Sequence, residues 1–352
     1  MRLTGRGWGV LIAIVVAVLM GAQYGSRSLN AIVVPLAVVG VAAAVTVSRA
    51  DRPDVERLPI EAGHVGEYRT VAFVLSSGRG TTATVIDRVG DGLTADANRF
   101  ELTIAGETRV EHPVRLDARG ERTVGPTTVI VRDLLGLLER RFECEATEPV
   151  VVYPPVYELR TDARRDLASF ANTAREFERA EFDHLREYER GDSLRDVHWK
   201  SAAKRSDDEL IVKEFVADEG LDRVSLVAEC RPGDADEMAA AAATLVDHLL
   251  DLDVGVVLAV PYDRTAEGGP DRRDALFRAT ATADEGTAGS HHREEADVVI
   301  RADADGVVVD FGDRTVPFAE LCVYEDGDAG DSEAVGPRAG AGSDGRLGGV
   351  RA

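Results

Sequence analysis

The chain has 352 residues, with 63 acidic against 41 basic side chains and a formal net charge of −22. That length accommodates an anchor and two ordinary domains. Its charge makes nucleic acid or an anionic lipid surface a poor partner for the soluble part. Cys144, Cys230 and Cys322 are isolated, with no C-x-x-C pair and no histidine at ligand spacing, so they indicate neither a zinc site nor a disulfide framework.

In chain order, the first signal is apolar. Residues 7–26 and 28–48 carry no charged side chain and are separated only by Arg27. At ~1.5 Å per residue each stretch crosses a hydrocarbon core of about 30 Å. This predicts a transmembrane hairpin within residues 1–57, with spans at about 8–25 and 29–48, so that the bilayer is the partner of residues 8–48. A cleaved signal peptide would not be followed at once by a second full-length span. Pro35 falls near the start of the second span, where a missing amide donor is tolerated. Arg2, Arg6, Arg49, Arg52 and Arg57 flank the pair against a single Arg27 between the spans. The positive-inside rule then places the N-terminus and everything after residue 57 in the cytoplasm. Trp8 and Tyr24 sit where interfacial aromatics belong.

Residues 58–150 read as a β-sandwich-like domain. Short runs at Tyr68–Leu75, Thr82–Val89, Phe100–Ile104, Val110–Leu116 and Thr127–Val131 are separated by turn signals at Ser77-Gly78, Asp91-Gly92, Ala105-Gly106, Arg119-Gly120 and Gly125-Pro126. Nothing there gathers catalytic residue types. The domain gives way at Arg132–Arg140 and at a strand ending in Tyr153-Pro154-Pro155, a predicted boundary. Residues 160–180 are highly charged and lack a clean apolar stripe, so they read as a surface helix or a connection.

Residues 151–324 form a second predicted unit. Strands at Leu210–Val216, Val224–Ala228 and Val254–Val260 surround a helix at Asp234–Asp251, which Asp234 and Glu237 would cap as a box and Leu245, Val246, Leu249 and Leu250 would seat. Strand, helix and strand in that order imply a parallel sheet. A short helix is predicted at Arg272–Thr282, and a closing hairpin at Val298–Ile300, Val307–Phe311 and Thr315–Phe318. His291 and His292 read as solvated loop residues. Residues 325–352, with 8 Gly and six acidic residues, read as a disordered tail.

Chemistry concentrates in Leu185–Lys213. Gly191 permits a turn, and Asp192 or Ser193 can cap a helix on which Arg195, His198, Trp199 and Ala202 fall three and four apart. Arg186, Glu187 and Asp192 could pair with Arg195 or Lys200. All three lysines of the chain, Lys200, Lys204 and Lys213, lie here, although the chain otherwise uses arginine as its cation. This placement points to a site that wants a compact ammonium. Elsewhere the lysine-poor, Asp-rich composition resembles that of proteins from salt-in halophilic archaea, in which acidity is a solubility adaptation.

The run L-R-E-Y-x-x-G-D-x-x-R-x-V-x-W-K-x-x-A, carrying Arg186, Glu187, Tyr188, Gly191, Asp192, Arg195, His198, Trp199 and Lys200, is similar to the signature of the domain of unknown function 58 family. Upstream, Arg119-Gly120, Gly125-Pro126, Arg132–Leu137 and Val150–Pro155 resemble the same family, and two N-terminal spans are usual there. The resemblance covers roughly residues 8–260. It implies an abbreviated von Willebrand factor A-like α/β domain after the motif, hence an α+β, multi-domain chain. It also implies a MoxR-type AAA+ ATPase as partner, in protein assembly or cell-envelope processes. The sequence departs from A domains at Glu229–Gly233, where their D-x-S-x-S metal loop would lie. No metal-ion-dependent adhesion motif, and no cofactor, is expected.

Two uses of the Arg186–Lys204 cluster stay open. It is a partner-docking surface with Arg195, Trp199 and Lys200 as anchors, or a structural network with Trp199 and Arg195 buried and internally paired; the expectation is mixed, with Trp199 buried and Lys200 and Lys204 at the surface. Enzymatic use, with His198 as a general base beside Asp192 or Glu187, lacks an evident nucleophile and a phosphate loop. The expectation is a non-enzymatic adaptor.

Overall fold

The computed structural model describes residues 1–24, 30–181, 184–187, 211–214 and 223–323. It divides into two compact units, Met1–Val152 and Tyr153 onward. Together they make a multi-domain α+β chain, with two apolar helices, a curled antiparallel sheet and a second, mixed sheet with helices.

In the first unit, helices α1 (Gly5–Tyr24) and α2 (Asn30–Ser48) pack against each other. Thr4 caps α1, its hydroxyl accepting from Gly7 N at 3.1 Å. Both helices are long and apolar enough to cross a membrane. A core helix of a soluble protein would be covered, yet only 6% and 11% of these two apolar windows are buried. Such bare apolar surface fits hydrocarbon rather than water. At the base, Val47 and Ala43 are buried, and Arg140 Nη1 donates to the carbonyls of Ser48 and Ala50 at 3.3 and 3.1 Å.

The sheet of this unit has nine strands: β1 (Arg2–Leu3), β2 (Asp54–Arg57), β3 (Gly63–His64), β4 (Tyr68–Val89), β5 (Leu93–Thr94), β6 (Arg99–Leu116), β7 (Gly120–Arg132), β8 (Leu138–Cys144) and β9 (Glu148–Tyr153). Two sequence expectations need correction. The turns read at Ser77-Gly78 and Ala105-Gly106 do not end strands. Strands β4 and β6 pair from Tyr68↔Arg115 to Ile86↔Arg99, with one irregularity between Ser77 and Thr81. Glycines mark a bend there because they let a continuous ribbon fold over. Its halves then face each other, Phe73 and Leu75 across from Ala83 and Val85 in one apolar cluster. The result is one curled sheet. Likewise Gly125-Pro126, a cis peptide, lies inside β7, where that strand changes partner from β9 to β8.

The second unit holds strands β12 (Arg223–Cys230), β13 (Gly255–Val260), β14 (Arg264–Gly268), β15 (Val298–Asp303), β16 (Gly306–Asp310) and β17 (Thr315–Pro317) in the order β14-β13-β12-β15-β16-β17. Strand β12 is parallel to both β13 and β15, and the outer pairs are antiparallel. A separate ribbon pairs β10 (His184–Glu187) with β11 (Ile211–Glu214). Helix α4 (Ala235–Asp251) is buried along most of its length, its alanines and leucines filling one face of the sheet. Asp234 stands at its N-cap but makes no side-chain cap bond, so the predicted capping box is not formed.

Helix α3 (Thr161–Glu181) corrects another expectation. Its charge hides a narrow stripe: Ala163, Leu167 and Ala171, four apart, are buried in the same cluster as Leu226 and Leu245. Helices α5 (Arg273–Ala281), α6 (Ser290–Glu294) and α7 (Phe318–Leu321) complete the unit. Leu276 of α5 joins that face, whereas Ala288 and Ala296 cover the opposite one over Val227, Ala259 and Val299.

Candidate functional site at the carboxyl edge of the second sheet

The predicted motif is only partly within the described residues. Arg186 and Glu187 lie on β10, opposite Val212 and Ile211 of β11. Tyr188, Gly191, Asp192, Arg195, His198, Trp199, Lys200 and Lys204 lie outside the described residues. So do the helix expected to carry them, the anticipated burial of Trp199, and the tail 325–352.

What the second unit does present is a switch point. Strand β12 sits between β13, which follows it in sequence, and β15, reached after the chain has crossed to the other side. In open α/β sheets, the carboxyl ends of strands at such a position form the usual binding crevice. The residues there are Glu229 and Cys230 of β12, Tyr262 and Asp263 beyond β13, Arg301 of β15, and the segment 285–293. Backbone bonds between Cys230 and Gly286, at 2.9 and 3.2 Å, tie that segment to the end of β12.

Glu229 is buried although charged, because two arginines meet it. Arg293 Nη2 donates to its Oε2 at 2.7 Å, and Arg301 Nε stands 3.6 Å from its Oε1. Arg301 also reaches Asp310 at 3.0 Å. The one carboxylate of the 229–233 loop is therefore neutralised by guanidinium groups. Glu285 accepts from Gly233 N at 3.0 Å and closes the same loop from outside.

Beside it, Asp263, His291 and His292 bring ligand atoms within 4.8 Å of one another, on solvent-facing side chains. The sequence had left the two histidines in a loop without a ligand nearby. Instead they begin α6, and the β13–β14 turn supplies the carboxylate. Tyr262 and Asp263 both take the left-handed backbone, at φ 66° and 53°. Gly289 leaves the necessary room, since a Cβ there would lie 2.3 Å from Asp263 Oδ1 and 3.0 Å from His291 Nδ1. Two imidazoles and a carboxylate form a donor set of the kind that borderline divalent cations use.

Cys144 and Cys322 are poor nucleophiles. All three cysteines are buried and none is in a disulfide. Burial pushes the Cys322 thiol up to about 12 and raises that of Cys144, so neither is a thiolate near neutrality. Two clefts, of about 210 Å³ beside Cys144 and about 170 Å³ beside His248, are smaller than the ~300–1,000 Å³ of ordinary ligand sites.

The first unit holds a group that sequence reading missed. Asp87 is completely buried and lies among Arg57, His112 and Thr127. His112 Nε2 is 2.9 Å from its Oδ2, Thr127 Oγ1 donates to its Oδ1 at 2.9 Å, and Arg57 forms an ion pair with it. Arg57 also donates to Thr127 Oγ1 at 2.7 Å and to the Ala146 carbonyl at 2.8 Å. Burial pushes the Asp87 carboxyl up, but the hydrogen bonds from His112, Arg57 and Thr127 and the Arg57 charge outweigh it. The group is held below its ordinary value of 3.8. His112 Nδ1 is buried without a partner. A signal was present: Ala83, Val85 and Asp87 alternate, as do Val110, His112 and Val114, which puts an acid and a histidine on inward positions.

No family model matches the chain, and no curated protein does. Solved structures match only in part. The complex of zinc 2-glycoprotein with prolactin inducible protein from human seminal plasma is 11% identical, with a TM-score of 0.24, over 30% of this chain and 97% of the other. The PKD domain of an M14-like peptidase from a Thermoplasmatales archaeon is 21% identical, with a TM-score of 0.18, over 27% and 96%. The CARDB domain of a Pyrococcus furiosus protein is 14% identical, with a TM-score of 0.21, over 29% and 88%. Likeness at this level carries no argument about what the chain does.

Proposed function

We propose that the chain is a non-enzymatic, membrane-tethered adaptor or scaffold on the cytoplasmic face, working with a MoxR-type AAA+ ATPase in protein assembly or cell-envelope processes. The observation that carries this reading is the anchorage. Two bare apolar helices and the curled sheet belong to one compact unit, so whatever follows is carried at a bilayer. The flanking arginines favour the cytoplasmic side.

Two features of the second unit favour recognition over turnover. Its switch-point carboxylate is already engaged by Arg293 and Arg301, and the described cleft of this unit, beside His248, has a volume of only about 170 Å³. Parallel strands β13, β12 and β15 against α4 are in keeping with an abbreviated von Willebrand factor A-like domain. The ATPase enters through the resemblance at Arg186–Lys204 alone.

The test is a pull-down with the nanodisc-embedded chain as bait at high salt, against an Arg195→Ala/Lys200→Ala double variant of equal thermal stability. Nucleotide-dependent recovery of an AAA+ ATPase by the wild type alone is the expected result. Equal recovery by both baits would move docking away from the motif, and recovery of no ATPase would contradict the adaptor reading.

A further inference from the structure

The turn between β7 and β8 presents two leucines that the described residues leave exposed. Leu134 is 101% exposed and Leu135 is 54% exposed, while Leu137 is buried. A floppy loop would explain exposure without purpose, but this turn is rigidly built. The Asp133 carboxylate accepts from the amides of Leu135, Leu137 and Leu138 at 2.9, 2.8 and 2.7 Å. Gly136 supplies the left-handed residue, at φ 66°. Three charge-assisted bonds fix the backbone so that the leucines at its tip face outward.

The turn is also seated on the start of α1. Thr4 N donates to the Leu137 carbonyl at 3.0 Å, and Thr4 Oγ1 donates to the Gly136 carbonyl. Strand β1 pairs Leu3 with Leu138. Gly7 is in such close contact that a Cβ there would lie 2.1 Å from Leu137 O. The leucines therefore stand level with the first turn of α1, where Trp8, itself 55% exposed, begins the apolar span.

We infer that Leu134 and Leu135 insert into the boundary between headgroups and acyl chains, making the β7–β8 turn a second, shallow membrane contact of the sheet domain. The occupant of this patch is lipid rather than protein, because the turn that carries it is seated on residues 3–7, where the apolar span of α1 begins. Exposed Arg2 and Arg6 flank the same start of α1, where cations meet lipid phosphates. A shallow apolar contact of this kind reaches about 5–10 Å below the headgroups. Together with the hairpin, it would restrict how the sheet domain tilts on its anchor. The inference rests on reading α1 and α2 as membrane spans, so its test includes a reporter for each.

An environment-sensitive fluorophore is placed by thiol labelling at Leu134→Cys, at Leu135→Cys, at Val16→Cys within α1, and at Asp91→Cys. The three native thiols are buried and remain unlabelled under native conditions. Asp91 follows β4 at the end that the register places away from the turn. The chain is reconstituted in vesicles whose lipid carries a nitroxide near the headgroup end of the acyl chain, for positions 134, 135 and 91, or near its methyl end, for position 16 about halfway along α1. Emission at positions 134 and 135 should shift to the blue and fall roughly twofold relative to nitroxide-free vesicles, as for residues at shallow depth, while position 91 stays unquenched. Quenching at 16 without quenching at 134 and 135 would overturn the inference and leave the spans standing. A blue shift at 134 without quenching would mean that protein covers the turn, which also overturns it. No quenching at 16 would remove the membrane reading altogether.

Discussion

Asp87 carries a full charge in a place that sheet proteins normally reserve for Val or Ile. Its hydrogen bonds and the Arg57 ion pair make that tolerable, and removing the charge leaves Arg57 buried without compensation. We predict that Asp87→Asn destabilises the chain by about 3–5 kcal/mol, the usual cost of breaking a buried pair from one side. The comparison is Glu111→Gln, which breaks the Arg109–Glu111 pair, half-exposed at 57% and 49%, and should cost less than about 1 kcal/mol. Urea unfolding in nanodiscs, followed by circular dichroism, measures both. The pH dependence has a definite sign. Because the folded-state value is depressed below 3.8, the Asp87 contribution is complete above that value and is lost as pH falls through the folded one. Wild type should lose stability below about pH 4 by more than Asp87→Asn does; equal loss would show that Asp87 is not the group responsible. The acid was legible as a break in the inward alternation of Thr82–Val89. Its partners were not, because Arg57, His112 and Thr127 come from three other strands whose register no local pattern sets.

At the scale of elements, patterns that repeat within one segment were readable and those that depend on a partner were not. Both apolar helices, α4 and the strands around it follow from uninterrupted apolar runs and the 3.6 period. The glycines at 78 and 106 carry a turn signal in isolation, but cross-strand pairing along β4 and β6 overrides it and leaves a bend. In α3 the stripe was missed because alanine contributes little hydrophobicity and Leu167 stands alone between two alanines. For the candidate site, the Glu229–Gly233 loop was singled out in the sequence only as the place where the A-domain metal motif is missing. The arginines that hold it and the meeting of Asp263 with His291 and His292 need the crossover of the second sheet. One element contact gives a direct prediction. Gly7→Ala drives a methyl group into the Leu137 carbonyl, an overpacking that costs about 1–3 kcal/mol. The β7–β8 turn should then open more often, and trypsin should cut after Arg132 or Arg140 about tenfold faster or more, in line with the change in local opening. An unchanged cleavage rate would mean that the seat of α1 does not hold the turn.

Over the whole molecule, an apolar anchor is joined to a part with a strong negative charge. A charge of −22 disfavours contact of the soluble surface with anionic lipid, and the flanking arginines of the anchor counter this locally. Such a division suits a protein that must stay at a bilayer without lying down on it. The central claim is that both soluble units are held on the cytoplasmic side by a two-span hairpin. It is tested most directly by labelling single-site variants in intact cells with a membrane-impermeant maleimide, at Ser26→Cys between the spans and at Asp91→Cys in the sheet domain. We predict labelling at position 26 in intact cells and at position 91 only after permeabilisation. Labelling of position 91 in intact cells, with position 26 protected, would contradict the account.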